Sequence, residues 1–446
     1  MTLADILPTL RSSLPHPIEP WLWPSTTHHI PGGDLAVSGV SLVEAATRYG
    51  TPCLLLDTAE FRQRCAMYRR AFHDAEVAYA AKALLTRAVA RIVGEEGLWL
   101  DVCSLGELTV ARQAGVLPER MILHGNGKST EFLEQAVDSG VGRVVVDSID
   151  ELVTLAAVAR GRRQPILLRV VPGVDAHTHQ AVTTGTEGQK FGISPAGGGL
   201  DDAVARALAA PSLELVGLHC HIGSQVTGTG PYEAAATRMV QLLADVRDRH
   251  GVVLTELNLG GGHAIAYHAG DVPLAPGEVA GAIRRAVARA CAEHDFPAPR
   301  LTVEPGRAIA GPCGVTLYRV VTVKRSGDRT WVTVDGGMSD NLRPALYGAR
   351  YTARLVGRLS GAAEEHMSVA GQHREAGDVL VEDVLVPGDV RAGDLLAVPA
   401  SGAYHFPMAS NYNLTPRLPL VGVENGDTRT LVRRETILDL LRRDLG

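Results

Sequence analysis

VAYAAKA, residues 77–83, is an apolar run that carries one lysine near its end. A lysine ammonium is costly to bury unless it is paired or chemically transformed. Two readings stand side by side. Lys82 either sends its amine to solvent from the end of a strand, or forms an imine with a carbonyl cofactor. The surroundings decide what kind of strand this is. Seven further short runs follow: LWLDVCS (98–104), MILHGN (121–126), RVVVDS (143–148), PILLRVV (165–171), LELVGLHCHIG (213–223), TELNLGGG (255–262) and RLTVEPGR (300–307). Helical stretches such as TEFLEQAVDSG, IDELVTLAAVARG, DDAVARALAA, EAAATRMVQLLADVRDRHG and GEVAGAIRRAVARACAEHD lie between them. Strand and helix alternating eight times predict an α/β fold, a (β/α)₈ TIM barrel in preference to a doubly wound open sheet.

Beyond residue 310 the texture changes. VTLYRVVTVKRSGDRTWVTVDGG, HMSVAG, DVLVEDVLVP and DLLAVPASGAY alternate at strand period with turn signals between them. This predicts a C-terminal β-rich domain, of sandwich or barrel type, ending in an amphipathic helix over RRETILDLLRRDLG. The expected organisation is an N-terminal segment over 1–57 packing with the β domain, a barrel over 58–310 and a β domain over 311–446.

The chain has 446 residues, too many for one small domain, with 46% hydrophobic and 21% charged residues. A net charge of −6 gives no reason to expect nucleic acid or an anionic membrane as partner. The six cysteines are scattered without a CxxC pair, which argues against a zinc site and a disulfide framework, so no metal is expected. The start, MTLADILPTLRSSLPHPIEPW, lacks the pattern of a secretory signal, and no long apolar run suggests a membrane span. A cytoplasmic location is the default expectation.

In a (β/α)₈ barrel, chemistry sits at the C-terminal ends of the strands. Here those ends carry Lys82, Asp101 with Cys103, His124 with Asn126, Asp147, Arg169, His219 with His221 and Ser224, Gly260 to Gly262, and Glu304 with Arg307. A barrel built only for stability needs no such recurrence. LGGGH (259–263) lets backbone N–H groups approach an anion such as phosphate, or serves as a tight turn. It is neither a Walker loop nor a dinucleotide fingerprint. Glu304 and Arg307 either pair with each other or divide their labour, the arginine toward an anion and the carboxylate toward a ring nitrogen. A lysine, a phosphate cradle, a carboxylate and a histidine ring together suit pyridoxal 5'-phosphate.

The chain resembles the diaminopimelate decarboxylase family, pyridoxal phosphate enzymes of the alanine-racemase-like fold, from about residue 35 to 440. The segments YAAKA, LDVCSLGEL, LHGNGKS, QKFGI, GLHCHIGSQ, LNLGGG, EPGRAI, DGGMSDNLRPALYGARY, EAGDVLVEDVLVP and SGAYHFPMASNYN carry the resemblance, in order. It implies an amino-acid decarboxylase in which Lys82 bears the cofactor and His221 stacks on its ring. Ser224, Gly260, Gly261 and Gly262 contact the phosphate, and Glu304 faces the pyridine nitrogen. Asp101, Gly306, Arg307 and Tyr404 complete the cofactor site. Arg307, Arg343, Tyr347 and Tyr404 contact the substrate. Glu375 reaches into the site of a second subunit, which implies a homodimer.

One segment departs from the family. Arg374 in REAGD (374–378) stands where the family has a cysteine assigned to protonating the α-carbon, and Ala376 replaces a serine. Arginine is a poor proton donor. His263 follows the glycine loop where an apolar residue is usual, Ala264 takes the place of a glycine, and His405 follows the tyrosine of SGAY. The reading drawn from these changes is an altered substrate with a distal anionic group. Arg374 would bind that group, with His263 or His405 supplying the proton. The alternatives are an ordinary meso-diaminopimelate decarboxylase making L-lysine, an epimerase or racemase, an inactive structural protein, or a cofactor-carrying protein. The substrate is either a free amino acid or one tethered to a carrier protein.

Overall fold

The computed structural model describes residues 17–174 and 188–446. The parts of the expected N-terminal segment before residue 17 lie outside them. Two compact units divide the chain. One comprises Arg64–Ala264 with Pro273–Ile309; the other takes the chain through Gln63, Ile265–Val272 and Ala310–Gly446.

The first unit is a closed barrel of eight parallel strands: Ala75–Ala80, Trp99–Val102, Met121–Leu123, Arg143–Val146, Gln164–Arg169, Leu213–His219, Glu256–Asn258 and Arg300–Val303. Each pairs with the next, and the eighth closes on the first through Leu301 opposite Ala75. The expected runs are all present, shortened at their ends. Ala78, Ile122, Val145 and Leu167 form one buried cluster against Trp99 and Val216. Side chains from six strands meet only inside the barrel, so its centre is a packed layer. At the strands' N-terminal ends, Glu256 accepts from Arg143 Nε at 2.8 Å and also from Arg300. That ion cluster serves stability, and the opposite rim is left for chemistry.

The turns after the strands are specified locally. Thr86, Ser104, Ser129 and Ser148 each cap the helix that follows, accepting from a backbone N–H three residues on. These caps stop each strand at a fixed residue and so fix which side chain stands on the rim.

The second unit is β-rich. Its main sheet runs in the order Val379–Pro387, Glu364–Ala370, Arg329–Val334, Gly314–Ser326, Cys53–Asp57, Leu420–Glu424 and Asp427–Val432. Arg354–Val356 and Leu395–Val398 join through Gly314–Ser326, and a three-stranded sheet spans His28–Ile30, Asp34–Val37 and Val40–Ser41. Here Cys53–Asp57 inserts between strands from beyond residue 310, pairing with Gly314–Leu317 and Leu420–Val423. Leu22, Leu35, Leu55, Leu317, Leu395 and Val421 belong to one core. The amphipathic helix expected at the end shrinks to Ile437–Leu441, with Leu438 and Leu441 exposed. Among the described residues no helix is long and apolar enough to cross a membrane.

Candidate active site

The barrel register brings distant residues side by side. His219 lies opposite Arg169 on one neighbouring strand and Asn258 on the other, and Ala80 lies opposite Asp101. Glu304 follows directly on the eighth strand. Its carboxylate is buried at 6% exposure and receives three side-chain donors. His124 Nε2 and Asn258 Nδ2 are each 2.7 Å from Oε1, and His219 Nε2 is 3.2 Å from Oε2. Asp101 lies 3.8 Å from His124 Nε2.

These contacts set the charges. Burial alone would neutralise Glu304, yet His124 and His219 hold its carboxyl well below the usual range. Burial opposes the charged form of His124, but Asp101 and Glu304 outweigh it and raise the imidazole. Burial keeps His219 neutral, down at about 4, and pushes Asp101 up to about 6 against the pull of His124. His221 is driven well below its ordinary value by burial, then by Lys82 and Arg169. The rim thus presents an ionised Glu304 beside a neutral His221 ring.

Lys82 sits in the single turn Ala81–Ala83 after the first strand, not within it, and its side chain is exposed in the single chain. Its charge acts on Asp101 and His221. The strand-burial puzzle raised by the sequence therefore resolves into a rim lysine.

The glycines test whether pyridoxal phosphate fits. A Cβ on Gly261 would lie 2.0 Å from the Glu304 carbonyl oxygen, and one on Gly262 2.1 Å from that of Gly223. Gly260 has a φ of 66°, and its added Cβ would meet His221 Nδ1 at 2.7 Å. Gly261 N donates to His221 Nδ1 at 3.3 Å, which ties the loop to the ring. Gly306 passes so close to Ala80 that a Cβ would stand 2.9 Å from the alanine methyl. No side chain fits in this loop, so bare backbone lines the rim beside a histidine face and an ionised carboxylate. Arg307 Nη2 donates to Ser224 Oγ at 2.9 Å in the same unit. The residues present fit the cofactor.

The β unit holds a second cluster. Arg343, 5% exposed, opens the short helix Arg343–Tyr347. Its Nη1 donates to Tyr267 at 2.9 Å and also to Tyr351, and its guanidinium lies 5.8 Å from the Tyr404 ring centroid. Tyr347 is half-buried on that helix. Tyr404 itself has a φ of 67°, left-handed backbone that a tyrosine rarely adopts.

The residues that depart from the family pattern fall in three surroundings. His263 is enclosed by Tyr68, Phe72 and Tyr232; Tyr68 hydroxyl bonds its Nδ1 at 2.8 Å, and burial holds it down at about 4. His405 packs edge-on against Tyr351, and burial and then Arg343 drive it well below the ordinary value. Burial disfavours the protonated form of both imidazoles. Arg374, Glu375 and Ala376 are exposed in the single chain, while neighbouring His373 is buried against Ser339 and Asn413. Glu375 accepts from Tyr412 at 3.3 Å.

Sequence reasoning did not single out Asn258, Tyr267 or Tyr351. Asn258 had a signal, as the last strand residue before the glycine loop. Tyr351 closes the segment DGGMSDNLRPALYGARY eight positions after Arg343, yet that spacing assigns it no role; Tyr267 had no signal, because Arg343 lies 76 positions away.

Comparisons with known proteins agree with this geometry. The family model for the pyridoxal binding domain of pyridoxal-dependent decarboxylases matches residues 58–311. The chain is 53% identical to a diaminopimelate decarboxylase of Actinosynnema pretiosum subsp. auranticum, over 100% of both chains. It is 42% identical to that of Bacillus subtilis, over 93% of this chain and 95% of the other. A crystal structure of diaminopimelate decarboxylase from M. jannaschi superposes with a TM-score of 0.89 at 29% identity, covering 95% of this chain and 98% of that one. A lysine/ornithine decarboxylase from Vibrio vulnificus, at 24% identity and a TM-score of 0.73, shares the fold. A glycine loop of bare backbone, a lysine on the same rim and a full-length match lead to one conclusion: the chain is a pyridoxal phosphate-dependent carboxy-lyase and belongs to the diaminopimelate decarboxylase family.

Proposed function

We propose that this decarboxylase acts on free meso-diaminopimelate and releases carbon dioxide and L-lysine. The observation that carries this reading is the identity of 53% across the whole of both chains to a diaminopimelate decarboxylase. A related structure described as a co-complex with L-lysine favours a free amino acid over a carrier-bound one.

The residue roles follow from chemistry. Pyridoxal phosphate, when bound, supplies an aldehyde that condenses with amines and a ring that accepts the electrons left when a carbon–carbon bond breaks. Lys82 would hold the cofactor through its aldehyde carbon. The N–H groups of Gly260, Gly261 and Gly262, with Ser224, would hold the phosphate. His221 stays neutral and presents its face to the ring. Glu304 stays ionised and keeps a proton on the ring nitrogen, which makes that ring a better electron acceptor. Asp101, Gly306 and Tyr404 would close the cofactor site. Arg307 and Arg343 would bind substrate carboxylates, with Tyr347 beside them. Glu375, exposed in the single chain, would serve the site of a second copy in a homodimer.

One observation favours a second reading. Arg374 and Ala376 replace a cysteine and a serine of the family pattern, which suits an amino acid with a different distal anion. Incubating the holoenzyme with meso-diaminopimelate and with amino acids of varied distal groups decides between them. Lysine and carbon dioxide formed most efficiently from meso-diaminopimelate support the proposal. Faster turnover of another distal acid would replace it with the second reading. A run in heavy water that returns deuterated diaminopimelate with both carboxylates retained and no carbon dioxide released would point to the racemase alternative.

A further inference from the structure

Glu304 is held in an unusual way for a group that must meet a cofactor. An ionised carboxylate accepts about four hydrogen bonds, two on each oxygen. Here Oε1 is filled by His124 at 2.7 Å and Asn258 at 2.7 Å, whereas Oε2 has His219 at 3.2 Å. One acceptor position therefore stays open, and it lies on Oε2. The three donors sit on three different strand ends, so the carboxylate is clamped from around the rim.

The clamp is itself oriented. Asn258 spends its other end on the glycine loop, where its Oδ1 accepts from Gly260 N at 2.9 Å. One amide thus ties Glu304 to the first residue of the phosphate loop. Asp101 lies 3.8 Å from the same His124 Nε2 that meets Glu304, and the His124 ring meets the His219 ring edge-on at 4.9 Å. The donor atoms of His124, His219 and Glu304 lie within 4.8 Å of one another, near enough to hold a divalent ion. Hydrogen bonds among them already account for that grouping, so no ion is invoked.

We propose that His124 is a positioning residue for the decarboxylase. Together with Asn258 it anchors Oε1 of Glu304, so that the open acceptor position on Oε2 is the one offered to the pyridine nitrogen. The inference rests on the cofactor role proposed for Glu304. It goes beyond it by assigning the aim of that carboxylate to His124, a residue that touches neither substrate nor phosphate in this reading. Charge supports the assignment. Asp101 and Glu304 are two buried carboxylates beside His124, and both favour the protonated imidazole that donates to Oε1.

A double-mutant cycle on the holoenzyme tests this. The variants are His124→Leu, His124→Gln, Glu304→Gln and the pair His124→Leu with Glu304→Gln. Each is measured for pyridoxal phosphate dissociation constant, cofactor absorption spectrum, kcat and KM. His124→Leu is expected to weaken cofactor binding and lower kcat by about tenfold to a hundredfold, with KM for substrate changed less than about twofold. His124→Gln, which keeps a donor, recovers part of the loss. In the Glu304→Gln background, His124→Leu adds less than about twofold, because the group it aims is already altered. Multiplicative losses in the pair would overturn the proposal, and so would an unchanged cofactor spectrum in both His124 variants. Should His124→Leu fail to fold, His124→Gln paired with Glu304→Gln gives the same reading. Failure of the substrate proposal is separate: cofactor affinity and spectrum report on His124 whichever amino acid is turned over.

Discussion

Arg343 and Tyr267 stand 76 positions apart, yet Nη1 of the arginine donates to the phenol oxygen at 2.9 Å while its guanidinium lies 5.0 Å from the same ring's centroid. The cation is buried, and no carboxylate among the described residues is paired with it. A buried cation held only by phenols is costly in the empty site and suited to an anionic ligand. Arg343→Leu is therefore expected to lower kcat/KM by about a hundredfold, mostly through KM. The ligand-free variant should be less stable than the parent by about 1–3 kcal/mol, because the buried Tyr267 and Tyr351 hydroxyls both lose the donor that Arg343 supplies. Steady-state kinetics beside thermal unfolding checks both halves.

Lys82→Ala should abolish covalent cofactor capture. After borohydride reduction and digestion, mass spectrometry should find the cofactor mass on the peptide bearing Lys82 in the parent and on no peptide of the variant. Turnover is expected to fall about a thousandfold or more. Capture on any other lysine would remove Lys82 from its role.

Gly261 and Gly228 make a matched pair. A Cβ on Gly261 would collide with the Glu304 carbonyl oxygen at 2.0 Å, while one on Gly228 meets nothing within 4 Å. Gly261→Ala should cost at least about 1–3 kcal/mol of stability, as overpacking does, and sharply weaken cofactor binding. Gly228→Ala should change stability by less than about 0.5 kcal/mol. Denaturant unfolding and cofactor titration of the two variants give the contrast.

Acid should weaken the fold through His263. Burial lowers its imidazole from 6.5 to about 4, so between those values the unfolded chain binds a proton that the folded chain refuses. Stability from this group is complete above 6.5 and falls as pH drops toward 4, by up to about 3 kcal/mol. His219, also at about 4, acts in the same direction. Replacing His263 by leucine together with Tyr68→Phe, which avoids stranding the hydroxyl, should flatten the fall in melting temperature between pH 7.5 and pH 4.5. An unchanged slope would clear His263.

The barrel was legible because its signal is local. Four of the eight short apolar runs lead into helices capped by Thr86, Ser104, Ser129 and Ser148, and these mark helix starts in the sequence. The rim residues were legible for the same reason, since strand ends define the face where Lys82, His124, His219 and Glu304 emerge. The proton-donor roles given to His263 and His405 could not be weighed from the sequence, because a histidine's charge depends on what surrounds it. Tyr68, Phe72 and Tyr232 reach His263 from other elements, and no spacing in the chain announces them.

By itself the sequence determined the alternation of strands and helices, the side of the barrel that bears chemistry and the kinds of group available there. Periodicity and turn chemistry are properties of neighbouring residues, so a chain states them directly. Only the tertiary structure decided which histidines are charged, how Glu304 shares its two oxygens, and that Arg343 lies buried among Tyr267, Tyr351 and Tyr404. Those outcomes follow from desolvation and from contacts across tens to hundreds of residues, which exist only once the barrel and the sheets have closed.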